Sequence, residues 1–272
     1  MSLPSFYIPS FTAGQQEVVL DEDNSRHVIQ VLRMDPGELL HLTDGQGHLL
    51  EGEVVDAHKK RCRVAVRSVR TSPPPSTNVT IAISPVKNAS RFEWFLEKAT
   101  EIGVTTIVPL LCERTERQSI RTDRLRNILV SAMLQSQQSW LPALSEPLPF
   151  SQLIGQAADT TLVAAAGVAG LRLIAHCLEA PRPTTSLAGL VREQSAPAPG
   201  AIPADPTPGT SPADPTTAAD PRTLILIGPE GDFSPKEVEM ALAAGYLPVS
   251  LGANRLRTET AGVVAATLLC IK

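Results

Sequence analysis

Two short runs late in the sequence carry the residues best suited to chemistry: Ile227-Gly228-Pro229-Glu230-Gly231, and Leu251-Gly252 followed by Leu256-Arg257-Thr258-Glu259-Thr260. Their glycines let main chain approach a ligand closely, so that amides and carbonyls make the contacts. Arg257 and Glu259 place a permanent cation and a possible proton acceptor beside the second run. A single Gly-Pro-Glu-Gly is only a turn. Both runs in this order, at this spacing, form a far rarer pattern.

The elements around them predict how they are held. Leu224 to Ile227 is a continuous apolar run, the mark of a strand buried on both faces. A helix follows the first loop, with Ser234 as N-cap, Pro235 at its first position and Glu237 completing a capping box. Val238, Ala241 and Leu242 form its inward face and Gly245 closes it. A strand over Leu247 to Leu251 leads into the second loop, and a last helix runs from about Thr258 to Leu269. Two such units set both loops at the carboxyl edge of a parallel sheet, where open α/β folds bind ligands.

This joint pattern resembles the RsmE family, ribosomal RNA uridine-N3 methyltransferases of the SPOUT class, whose closing segment carries IGPEGG and LG…LRTET. Asp232 stands where that family usually has glycine, which makes one loop position less permissive and alters its charge. The resemblance implies an α/β fold, a SPOUT-type trefoil-knotted parallel-sheet domain with a small N-terminal PUA-like β-barrel, acting as a homodimer on small-subunit ribosomal RNA. It implies S-adenosylmethionine held by Ile227, Gly228, Pro229, Glu230 and Gly231, and by Leu251, Gly252, Leu256, Arg257 and Thr258. Arg257 would stabilise a uridine anion or fix a phosphate; Glu259 would orient Arg257 or act as base. Arg172 to Cys177 resembles the family's strand ending in a histidine, so His176 is a candidate third wall of the pocket, or a capped strand-end histidine.

Upstream, residues 1–72 read as a small antiparallel barrel, with alternating apolar residues from Leu40 to Val69. A helix is expected around Asn24 to Arg33, capped by Asn24 or Ser25, with Val28, Val31 and Leu32 inward and Arg26 and Arg33 off the buried face. His27, Val31, Leu32 and Arg33 match the family's H-x-x-x-VLR element, in a domain thought to help hold RNA. Lys59, Lys60, Arg61, Arg63, Arg67 and Arg70 fall within twelve residues without an acid. On a strand, Arg61, Arg63 and Arg67 would share a face suited to phosphates, or would only protect an edge from aggregation.

Residues 73–78, rich in proline, form a stiff linker, and 79–272 is read as the methyltransferase domain. Val79 to Ile83 is a strand, and a helix capped by Asn88 or Ser90 buries Phe92, Phe95, Leu96 and Ala99. By the resemblance, Lys87 is a candidate for contact with RNA or cofactor, and Arg114 for contact with RNA. A helix from Thr122 to about Gln138 ends without the glycine and arginine the family has there; Gln137 and Gln138 replace them. A short helix near Ser151 and a strand over Thr161 to Ala165 follow. Residues from about 181 to 221 hold ten of the 24 prolines and no aromatic, and are read as a disordered insertion outside the family pattern.

With 272 residues and a formal net charge of −4, the chain is long enough for two domains and is not coated in positive charge, which leaves room for a local basic patch. Four scattered cysteines lack metal-ligand spacing, so no metal is expected. No signal peptide or membrane span is read, and the cytoplasm is the expected compartment. A dinucleotide site is disfavoured by the absence of GxGxxG with a following acid. The rival reading from another class is a non-catalytic RNA-binding module.

Overall fold

The computed structural model describes residues 3–116, 120–156, 170–177, 185–195 and 222–271. Its contacts divide the chain into two compact units, residues 1–75 with 122–142, and residues 76–121 with 143–272.

The first unit is built on β1 (Ser5–Tyr7), β2 (Glu17–Val19), β3 (Leu39–Thr43), β4 (His48–Asp56) and β5 (Arg63–Thr71), in the order β1-β3-β4-β5-β2. Alternation works as expected, with Leu40, Leu42, Leu50, Val54 and Val64 all fully buried. The sheet is not wholly antiparallel: β1 pairs with β3 in parallel. The intervening β2 and helix form a crossover long enough to bring the chain back in the same direction.

That helix, α1 (Glu22–Arg26), starts earlier than expected. Asp21 caps it by accepting the Asn24 amide at 2.8 Å. Asn24 instead donates its side-chain amide to Tyr7 O, while the buried Ser25 hydroxyl donates to Leu20 O and accepts the Cys62 amide. The helix continues as a π-turn over His27–Val31, with Leu32 N–H donating to His27 O. This wider turn rotates the later residues off the inward face. Only Val28 of the expected stripe is buried; Val31 and Leu32 are exposed. Arg33 ends the turn in the left-handed region, φ 56°.

After α2 (Ala89–Ile102), α3 (Thr122–Gln135) buries Leu125, Leu129, Ala132 and Met133. Sequence order assigns it to the second domain, but its contacts place it with the first unit, against β1. The reason lies in the segment after it. Gly47 N–H donates to Ser139 O, Leu141 N–H to Gly45 O, and the Trp140 indole to Pro73 O at 2.9 Å.

The second unit is a parallel sheet of β6 (Val79–Ile83), β7 (Thr106–Leu111), β8 (Ala143–Leu144), β10 (Leu171–Ala175), β11 (Thr185–Ser186), β12 (Thr223–Ile227) and β13 (Leu247–Ser250), in the order β11-β13-β10-β12-β6-β7-β8. A further strand, β9 (Leu148–Pro149), pairs with β7. The inner strands are apolar on both faces, as parallel strands covered by helices must be. Those helices are α2 (Ala89–Ile102), α4 (Phe150–Gln156), α5 (Leu187–Ser195), α6 (Pro235–Ala243) and α7 (Thr258–Cys270). Asn88 caps α2 through its side chain, leaving Ser90 inside the helix, and Gly103 closes it at φ 99°. The capping box of α6 forms as read, with Ser234 and Glu237 exchanging hydrogen bonds.

Helix α7 lies close against α2 and β6 at Gly262, where an added Cβ would fall 2.6 Å from the Phe95 ring. The expected disordered insertion is corrected at 185–195. Thr185–Ser186 pairs with β13, and α5 packs on α7 with Leu187 fully buried. Leu187, Leu190 and Val191 carry helical spacing that the surrounding prolines obscure. The rest of the proline-rich window, 181–184 and 196–221, and the strand expected at Thr161 to Ala165 lie outside the described residues.

Candidate active site

A cavity of about 620 Å³ opens where β10, β12 and β13 end, a size suited to a small organic ligand. Ala175 and Ile227, the last residues of β10 and β12, are in register with each other and Ala175 with Val249, one residue before the end of β13, so the following loops emerge side by side. Of the residues singled out from sequence, the cavity is lined by His176, by Ile227 to Glu230, by Leu251 and Gly252, and by Leu256 to Thr258. Gly231 and Glu259 do not line it. Asp232, Cys177, Asn254 and Arg255 do, and were not singled out as lining residues. The last two sit inside the second run, in the polar stretch between Leu251-Gly252 and Leu256-Thr260, where composition gave no reason to choose among neighbours.

The lining is mixed in a useful way. Val249, Leu251 and Leu256 offer apolar walls. Glu230 and Asp232 present carboxylates, while Arg255 and Arg257 stand on the opposite loop. Gly252 has φ 141°, a conformation closed to most side chains, and so shapes the second loop. Arg257 occupies the N-cap position of α7, where a guanidinium, having no acceptor, cannot cap; the residue is exposed and lines the cavity.

The first loop is fastened by its neighbours. Ser84 N–H donates to Ile227 O, and the buried hydroxyls of Ser84 and Thr115 lie 2.8 Å apart beneath it. Lys87 N–H donates to Glu230 Oε1 at 3.0 Å. Arg114 Nη1 donates to Gly231 O at 2.7 Å and reaches Phe233 O. Glu113 N–H donates to the buried Glu237 carboxylate, which also accepts the Ser234 amide. Asp232, in the left-handed region at φ 63°, accepts Cys177 N–H at 2.8 Å with one oxygen and Phe233 N–H with the other.

These contacts alter several single-residue expectations. Arg114, a candidate for RNA, spends its guanidinium on the loop's carbonyls. Lys87 is exposed, and its ammonium is held by Glu116 at 2.9 Å, whose hydrogen bond and charge push the lysine's pKa up. Glu259 is buried in the first turn of α7, where the helix dipole favours a carboxylate, and it pairs with Arg91 of α2 at 3.8 Å. Nothing local in the sequence links Arg91 to Glu259, because the contact crosses two helices.

In the first unit, Arg63 lies 3.6 Å from both Glu17 and Asp56, and Arg67 pairs with Glu53. Arg26 pairs with Glu22 and Asp23. Arg61 lies in the turn before β5, not on the strand, and Arg33 follows the exposed Val31 and Leu32; both are exposed. No group of acids, histidines and cysteines able to hold a metal occurs among the described residues. Nor is any described helix long and apolar enough to cross a membrane.

Comparison with known proteins follows the same outline. The family model described as RNA methyltransferase domain matches residues 73–198 and 199–270, and that described as RNA methyltransferase PUA domain matches 20–67. The match therefore includes β11 and α5, which were expected outside it. The chain is 28% identical over 251 residues to the ribosomal RNA small subunit methyltransferase E of Synechocystis sp., covering 91% of this chain and 71% of the relative. It is 27% identical to the protein of that name from Mycobacterium bovis, covering 96% and 88%. Among solved structures, an rRNA-methyltransferase of Porphyromonas gingivalis shares 39% identity with a TM-score of 0.76, covering 98% of each chain. A methyltransferase of Legionella pneumophila, solved with bound S-adenosylmethionine, shares 26% with a TM-score of 0.74, covering 99% and 97%.

Proposed function

The chain belongs to the RsmE-type RNA methyltransferase family, with its PUA domain, and on that premise we propose that it methylates N3 of a uridine in small-subunit ribosomal RNA, using S-adenosylmethionine bound in the cavity at the ends of β10, β12 and β13. The observation that carries this reading is the convergence of the two glycine-bearing loops on one cavity that a small ligand fits. When bound, the cofactor supplies an electrophilic methyl group on a cationic sulfur.

The chain's own residues do the rest. Main chain at Gly228 and Gly252 allows close approach to the adenosine, and Val249, Leu251 and Leu256 suit its base. Glu230 and Asp232 favour the ligand's positive charge. Uridine N3 lies on the pairing edge and bears a proton, so the base must be unpaired and the proton lost. Arg257, a permanent cation on the cavity lining, stabilises the anion that results. Glu259 acts through position: buried beside Arg91, it fixes the start of α7 and the arginine next to it, and it is not placed to take the substrate's proton. In the first unit, Arg33 and Arg61 are the better candidates for phosphate contact, because Arg26 and Arg63 face acids of their own surface.

Three further parts of the reading are homodimeric assembly, action in the cytoplasm and a trefoil knot. The last is supported by the place of β13, which follows β10, β11 and β12 in sequence yet sits between β10 and β11. The test is transfer of labelled methyl from S-adenosylmethionine to ribosomal RNA, with the product base mapped. Label appearing on uridine N3 supports the proposal. A protein that binds RNA but neither binds the cofactor nor transfers methyl is the non-catalytic module instead.

A further inference from the structure

Asp232 is the one non-glycine residue of the cavity lining in the left-handed backbone region among the described residues, at φ 63°. Such a conformation costs any residue with a Cβ, and it persists where the surroundings fix it. Here the surroundings are explicit. Asp232 N–H donates to Pro229 O, Phe233 behind it is fully buried against the Phe150 ring, and Arg114 holds the carbonyl of Gly231 ahead of it. This loop is the anchored side. On the other side, the ladder of β10 with β12 ends at Ala175, and His176 and Cys177 go on to line the cavity. Asp232 Oδ2 reaches across to the Cys177 amide at 2.8 Å, and Oδ1 is occupied by Phe233 N–H.

From this geometry we propose that Asp232 is a positioning residue of the cofactor cleft: its carboxylate ties the His176–Cys177 wall to the Gly-Pro-Glu-Gly loop and so sets the width of the cavity. The proposal rests on the cavity being the S-adenosylmethionine site. It requires a carboxylate with two accepting oxygens on a backbone that suits glycine, a combination unexplained by local folding alone. It also assigns the direction of support, from the packed loop toward the strand-end loop.

The test uses the full chain and three substitutions, Asp232→Gly, Asp232→Asn and Asp232→Ala, with S-adenosylmethionine titrated by calorimetry. Wild-type protein that takes up no cofactor overturns the reading of the cavity, and with it the premise. Given binding, Asp232→Gly is expected to raise the Kd about tenfold, the scale of one hydrogen bond to a charged group. Its thermal midpoint should hold or rise, because glycine relieves the left-handed backbone. Asp232→Asn keeps one acceptor and tolerates that backbone, so it should lie between wild type and Asp232→Gly, and Asp232→Ala should bind no better than Asp232→Gly. Iodoacetamide labelling of Cys177, read by mass spectrometry, should quicken in Asp232→Gly. RNA affinity, measured without cofactor, should not move. A Kd for Asp232→Gly within threefold of wild type overturns the proposal. So does a larger rise accompanied by an equal loss of RNA affinity and a lower midpoint, which would mark a general defect of folding.

Discussion

Arg257 and Glu259 are neighbours in sequence with different surroundings, and the difference predicts how their variants behave. Arg257→Ala removes a cation from the cavity and should lower kcat by about a hundredfold or more, as removal of a donor to a developing anion does. Its Kd for S-adenosylmethionine should change by only a few fold, which calorimetry can read. Glu259→Gln should instead lower the thermal midpoint along with activity, because it leaves Arg91 without its recorded carboxylate. Tyr246 makes a separate prediction. It is buried, and its hydroxyl has no hydrogen-bond partner among the described residues. Burial pushes the phenol up to about 12 from 10, opposed in part by the Arg172 charge. The folded state therefore holds this proton more tightly than the unfolded one. That contribution is complete below pH 10 and is lost as pH rises through 12, on the order of 2–3 kcal/mol in all. Tyr246→Phe should flatten that alkaline loss in urea titrations, and at neutral pH should stabilise by about 1 kcal/mol.

Among the elements, those with a complete local signature were legible. The cap of α6 needed only Ser234, Pro235 and Glu237, and the stripe of α2 only Phe92, Phe95, Leu96 and Ala99. Loops at the strand ends were found because glycine next to a buried strand restricts what the backbone can be for. What local pattern could not carry was the partner of each element. Arg114 reads as a surface arginine until the fold brings Gly231 to it. Two residues of β11 are too few for any periodicity, and their role comes from the edge of β13. The π-turn at His27–Val31 turned a predicted apolar stripe outward by one inserted residue. Helix α5 carries its own stripe but sat in a window judged by its prolines. Leu187→Ala should therefore destabilise the protein by about 2–4 kcal/mol, the cost of emptying a fully buried leucine site. Denaturant unfolding will show it; a neutral result would return 185–195 to the status of a dispensable insertion.

Taken whole, the chain matches an RNA methyltransferase PUA domain over 20–67 and an RNA methyltransferase domain over 73–198 and 199–270; on the proposed reading, RNA contact falls to the first and the cofactor to the second. The sequence shows a basic cluster but not which charges the fold has already satisfied. Salt dependence of binding to small-subunit ribosomal RNA distinguishes them. Arg33→Glu and Arg61→Glu should each weaken binding and reduce the slope of log K against log salt by roughly one phosphate contact. Arg63→Glu should leave that slope nearly unchanged, since Glu17 and Asp56 already offset the arginine.

The place of β13, hemmed on one flank by β10 and on the other by β11, bears on how the protein is made and unmade. A chain truncated before residue 247 keeps the strands through β12, yet it lacks the strand that lies between β10 and β11 beside the cavity. On the proposed reading, uptake of cofactor waits on the segment that carries the second glycine loop. An unfoldase pulling from the carboxyl side meets the converse problem, since the strand it must extract first is gripped along both edges.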